Sequence, residues 1–199
     1  MRSLLFGVVS FGAMIAAFVM PAVSAAPKTD PVDLVRTVAV DLTEAVKAAP
    51  GAPREAAMRS VLQREFDLPY IASATMGTHW NEASLDQQAR ILAAVETTEA
   101  RSYAQRLGTY PGATITVGTA TVGANGSWIV ASSLNLPSGQ SVRLAWEVHV
   151  APQGLRVADV KVEGVSLFTT KRTAYDSYIR SHGGTVEPLV QVLEAHASR

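Results

Sequence analysis

The segment from Ser141 to Val150 alternates without interruption. Val142, Leu144, Trp146, Val148 and Val150 fall on one side of an extended chain, and Arg143, Ala145, Glu147 and His149 fall on the other. A helix would scatter that pattern around its circumference, so the segment is read as a strand with one apolar and one polar face. Ala151-Pro152-Gln153-Gly154 then turns the chain, and a second strand runs through Val157 and Val162 to Gly164. A helix carrying Phe168, Tyr175 and Tyr178 follows directly. An apolar sheet face that feeds straight into an aromatic helix builds a greasy compartment rather than a polar catalytic cleft.

The residues before this segment supply the rest of a two-layer fold. Asp30-Pro31 opens a helix with an N-cap and a proline at the first helical position, and Leu34, Val35, Val38, Leu42 and Val46 make its apolar face. A second helix follows Pro53, and Asp67 caps a short third one, LPYIASATM, that Gly77 stops. After the linker THWNEA, Ser84 and Gln87 form a capping box for a long helix that ends near Gly108. Composition then turns to β: strands are expected from Thr114 to Val122 and from Trp128 to Leu136, with the two already described completing four. Short turns make neighbours antiparallel, and the apolar parity changes between Val157 and Val160, which predicts a bulge and a curved sheet. Helices from Thr169 to His182 and from Val186 to His196 close the chain. The expected class is α+β: a curved four-stranded antiparallel sheet packed with several helices around an apolar lipid cavity.

The first 26 residues read as a secretory signal peptide: Arg2 in the n-region, a nearly unbroken apolar run from Leu4 to Met20, then Pro21 and the small residues Val23-Ser24-Ala25-Ala26. Residues 27–199 are expected to form a single domain. With 17 basic and 17 acidic residues in the chain and only Arg2 lost with the signal, the remainder is close to neutral. It therefore has no electrostatic footprint for nucleic acid. The absence of cysteine fits an exported protein that buries a sufficient core without disulfides.

Motifs for chemistry are sparse. His79, His149, His182 and His196 lie far apart without ligand spacing, so no metal is expected, and there is no phosphate-binding glycine motif, so no cofactor is expected either. Gly164-Val165-Ser166 begins like a nucleophile elbow, but Phe168 stands where the motif needs glycine, which leaves Ser166 as a hydrogen-bonding residue at a strand-to-helix junction. Asp159 interrupts an apolar strand and must find hydrogen bonds or remain costly, with Arg172 as a candidate partner. A general base in a pocket is the sharper alternative for it. The aromatics are more numerous than a small core requires, so some of them are expected to line a cavity.

Several strings match one family. DLPYIASATMGTHWNEASLDQQ, Ser102-Tyr103-Ala104 with Leu107 and Tyr110, VADVKVEGVSLFTTKRTAY, and Gly183-Gly184 followed by Leu189 and Leu193 resemble the periplasmic phospholipid-binding component of the Mla (maintenance of lipid asymmetry) ABC system, the toluene-tolerance family. The similarity runs over the whole chain after the signal. It implies a monomeric, non-catalytic periplasmic carrier of phospholipid, passing cargo between an outer-membrane lipoprotein complex and an inner-membrane ABC transporter complex with its substrate-binding ring. The expected lipid-binding residues are Tyr70, Met76, Trp80, Tyr103, Leu107, Tyr110, Leu144, Trp146, Val148, Val165, Phe168 and Tyr175. Val95, Trp146 and Leu155 depart from the residues common in that family and bear on pocket shape. A hopanoid or other polycyclic cargo is the alternative within the family. A ketosteroid-isomerase-like enzyme using Asp159, or an adaptor with a filled core, are the alternatives outside it.

Overall fold

The computed structural model describes residues 29–198. The signal peptide expected at residues 1–26 lies outside them. Four helices come first: α1 (Pro31–Val46), α2 (Ala52–Glu65), α3 (Leu68–Met76) and α4 (Leu85–Gly108), with a 3-10 turn at Gly77–Trp80 in the segment read as a linker. The strands β1 (Thr114–Val122), β2 (Trp128–Asn135), β3 (Ser141–Ala151), β4 (Gly154–Val162) and β5 (Val165–Ser166) follow, then α5 (Leu167–Ser181) and α6 (Glu187–Ala197).

Local chemistry sets the helix starts as the sequence anticipates. The Asp30 carboxylate accepts from the Val32 and Asp33 amides, Asp67 accepts from the Tyr70 amide, and Ser84 and Gln87 satisfy each other's backbone donors. Ser166 accepts from the Thr169 amide, so it is the N-cap of α5. At the end of α3, Gly77 adopts φ +59, and a Cβ there would collide with the Arg172 guanidinium, its nearest atom 2.6 Å away. Glycine at this position thus both ends a helix and seats an arginine of another.

The strands form one antiparallel meander in the order β1-β2-β3-β4-β5. The sheet has five strands, not four. Val162 pairs with Val165 across Glu163-Gly164, whose φ values of 50 and 82 are those of a two-residue turn with both central residues in the left-handed region. Glutamate is an unusual occupant there, which is why the turn escaped the sequence reading. Its carboxylate is recruited by Arg143 on β3, which donates its backbone amide at 2.6 Å and its guanidinium at 2.9 and 3.0 Å.

The anticipated bulge is present: Val148 pairs with Val157 and Glu147 with Asp159, so Ala158 is the extra residue of β4. A second irregularity lies in β1 between Val117 and Ala120, opposite Ala131. On β3 the alternation holds, with Trp146 and Val148 buried, but Val150 at the strand end is 70% exposed. The register brings Val130, Trp146 and Val160 side by side, and the Trp146 indole donates to the Ser132 hydroxyl at 2.7 Å within that buried face. The helices cover this side, with α1 against β1, β2 and β4, and α4 packed between α2 and α6. Arg90 of α4 reaches both Glu187 and Glu194 of α6, and Lys171 of α5 pairs with buried Glu99 of α4. α3 and α5 pack on each other beside β4, where the Asp67 amide donates to the Val157 carbonyl.

Candidate functional site

Between the helix layer and the sheet lies a cavity of about 500 Å³, open on one side. Its floor is the apolar face of the sheet: Val142, Leu144 and Trp146 from β3, Val160 and Val162 from β4, Leu134 from β2 and Ile115 from β1. Leu42 of α1 and Leu167 of α5 close two sides, and Tyr103, Leu107 and Tyr110 descend from α4 and the residues after it. The alternation of β3, the pairing of β2 and β4 with it, and the helical spacing of Tyr103 and Leu107 all direct apolar groups into this one space. Charged and amide side chains are confined to one rim, where Gln105 and Arg106 sit on the last turn of α4 and Thr109 caps its end. A second compartment of about 330 Å³ shares Leu42, Leu107, Tyr110, Ile115 and Leu134 with the first.

Of the twelve residues expected from sequence, Tyr103, Leu107, Tyr110, Leu144 and Trp146 meet at this cavity. The others lie elsewhere. Met76 and Val148 are fully packed in the core, and Trp80 and Tyr175 lie half-buried against it. Tyr70 and Phe168 border a different, polar pocket of about 170 Å³. Val165, on the short edge strand β5, is 60% exposed. Among the cavity residues not named from sequence, Val160 and Val162 are the strand partners of Trp146 and Leu144, Leu134 pairs with Val142, and Val142 was already on the apolar side of β3. Pairing register carries the signal for Leu134, Val160 and Val162. None was available for Arg106, an ordinary charge on the exposed end of a helix.

Burial dominates the electrostatics of the cavity wall. It raises the Tyr103 phenol well above its ordinary range, with a further push from the Asp159 charge and a small opposing pull from Arg106. Tyr175 is pushed up to about 12 by burial alone. Both tyrosines are therefore neutral at any physiological pH, Tyr103 as an amphipathic element of the cavity wall and Tyr175 against the core.

Asp159 does not enter the apolar cavity. It lines the small polar pocket with Glu147, Ser166, Thr169 and Arg172, and its Oδ1 is buried without a hydrogen-bond partner. Arg172 borders the same pocket, yet its guanidinium lies on Gly77, and no hydrogen bond or ion pair joins it to Asp159 among the described residues. The expected partnership is not formed, because the α3–α5 packing holds Arg172 over the glycine. The described residues lining the apolar cavity include no carboxylate, histidine or serine, so a general base of the Asp159 kind does not face it. Nor do three potential ligands converge anywhere among the described residues to hold a metal.

The family model described as MlaC protein matches residues 34–195. Among solved structures, the fold is similar to the phospholipid-binding protein from Ralstonia solanacearum, which is in complex with a phospholipid. The two share 24% identity and a TM-score of 0.73 over 85% of this chain and 97% of that one. No curated protein matches the chain.

Proposed function

Because this chain belongs to the MlaC family, we propose that it is a carrier that binds phospholipid in the apolar cavity and shuttles it across the periplasm. The observation that carries the reading is the cavity itself: about 500 Å³ of hydrocarbon-lined space beside the central strand, with charged and amide groups at one rim only. A pocket of that size falls within the roughly 300–1,000 Å³ of small-molecule sites. The similar Ralstonia solanacearum protein is in complex with a phospholipid, which supports the same cargo here.

The physical need is plain. A two-chain lipid exposes roughly thirty methylenes at about 0.8 kcal/mol each, or some 20–25 kcal/mol of unfavourable hydration. Free passage through an aqueous compartment is negligible against that cost, so a protein must offer a comparable apolar lining and keep the headgroup outside it, at the cavity's open side. The donor and acceptor in this reading are an outer-membrane lipoprotein complex and an inner-membrane ABC transporter complex. A cleaved signal peptide at residues 1–26 would bring the chain to the periplasm between them, as one domain of residues 27–199. No helix among the described residues is long and apolar enough to cross a membrane.

Mass spectrometry of organic extracts from natively purified protein tests the proposal. Diacyl phospholipid at near one molecule per chain is the expected result. A polycyclic lipid in its place would move the cargo to the hopanoid class, and extracts free of any lipid would overturn the carrier reading.

A further inference from the structure

Helix α4 separates two spaces, and its last turns belong to both. Tyr103 and Leu107 point into the apolar cavity, while Thr98, Ser102 and Gln105 line a polar groove of about 440 Å³ on the neighbouring face, closed on its far side by His196 of α6. Gln105 and Arg106 border both spaces, so the groove opens onto the rim of the cavity.

The charges around this junction are unequal in their commitments. Arg101 is fully engaged: its guanidinium donates to Glu55 at 3.2 Å and to the carbonyls of His196 and Ala197 at 2.7 and 3.2 Å. Lys47, near the second compartment, is paired with Glu44. Arg106 has neither an acidic partner nor a side-chain hydrogen bond among the described residues, and it is the one charged side chain among those lining the apolar cavity. The Ser102 hydroxyl and the Gln105 amide likewise make no side-chain hydrogen bond among the described residues and face the same groove. An uncommitted guanidinium with neutral donors beside it, next to a hydrocarbon-lined space, has the chemistry to receive an oxyanion tethered to hydrocarbon.

We propose that this groove is the headgroup subsite of the cavity, holding the anionic phosphodiester of a lipid on Arg106 with Ser102 and Gln105 as neutral donors. The inference rests on the carrier reading and adds a residue that selects phosphate-bearing lipids over neutral ones. The same chemistry would accept free phosphate, and the test separates the two.

Delipidated wild type and Arg106→Gln are incubated with vesicles containing either phosphatidylglycerol or diacylglycerol with the same acyl chains, and retained lipid is quantified by mass spectrometry. Wild type should retain phosphatidylglycerol preferentially. Arg106→Gln should lose about tenfold of that retention, the value of one charge-assisted hydrogen bond, with diacylglycerol uptake unchanged and Arg106→Lys intermediate. Equal phosphatidylglycerol retention in wild type and Arg106→Gln would overturn the subsite, as would an equal loss of both lipids. Inorganic phosphate in excess should leave wild-type loading intact; displacement of the lipid by it would make the groove a free-phosphate site instead. Should wild type retain neither lipid, the carrier reading itself fails.

Discussion

Asp159 is the residue whose energetics are least settled by its surroundings. It is 8% exposed, and one carboxylate oxygen has no donor, a condition that costs roughly 1–3 kcal/mol for an unsatisfied buried group. Asp159→Asn removes the charge while keeping the shape, so it should leave stability unchanged or raise it, and lipid content should stay at the wild-type level. Chemical denaturation and lipid extraction on the same sample check both; a fall in stability above about 2 kcal/mol would mean that the carboxylate has a partner after all. His79 is the opposite case. Its Nδ1 lies 2.7 Å from Glu82 and its Nε2 3.1 Å from Asp176, which Arg180 also engages. These contacts raise His79 above its ordinary 6.5, Glu82 contributing most, while Arg180 first and His79 second hold Asp176 below its ordinary 3.8. A raised histidine stabilises fully below its unfolded value and loses that contribution as pH climbs through its folded value. A depressed carboxylate stabilises above its unfolded value and loses that as pH falls. The clasp is therefore strongest between about pH 4 and 6.5. The melting-temperature deficit of His79→Gln should be widest there and shrink above neutrality; a deficit independent of pH would refute the clasp. Sequence alone exposed Asp159 as an anomaly but neither of these environments, since both depend on side chains brought together from distant segments.

At the scale of elements, β3 accounts for much of what could be read in advance. Alternation is a local signal, so the strand, its apolar side and the parity break in β4 were all legible, as were the caps of α1, α3 and α4. The extent of α3–α5 packing was not, because it depends on which helix faces meet. That gap explains why Tyr70 and Phe168 were grouped with Trp146: their apolar character is visible, but not the side of the sheet they occupy. The distinction between cavity and core also divides two positions on one strand. Leu144 is half-buried against the cavity, whereas Val148 is 0% exposed in the packed core. Leu144→Asp places a carboxylate where water can follow, so the protein should stay folded and lose most of its lipid. Val148→Asp buries a charge without a partner and should cost more than about 4 kcal/mol, enough to unfold a marginal domain. Circular dichroism alongside lipid quantification separates them. A folded Leu144→Asp with full lipid content would remove β3 from the cavity wall.

At the scale of the whole molecule, an apolar cavity of about 500 Å³ is itself a stability problem. Core deletions in general lose about 24 cal/mol for each Å³ left empty, so a dry void this large would approach 12 kcal/mol, close to the whole stability of a typical domain. Water entering an apolar pocket lowers that figure but gives up the burial that a packed core would provide. The tight jigsaw of Val130, Val148, Val157 and the buried faces of α1, α2 and α4 therefore has to offset a neighbouring region that is incomplete without cargo. Binding supplies the missing contacts, and mass action converts occupancy into stability: at a hundredfold excess over Kd the gain is about 2.7 kcal/mol, or roughly 5–10 °C in melting temperature for a domain of this length. Calorimetry of loaded and delipidated protein should show that difference, and hydrogen exchange should place the lost protection in the cavity-facing parts of α1 and α4 rather than in the α2–α4–α6 packing. Equal melting temperatures in the two states would mean that the helices close over the sheet when empty, and that the cavity is made by its ligand rather than built beforehand.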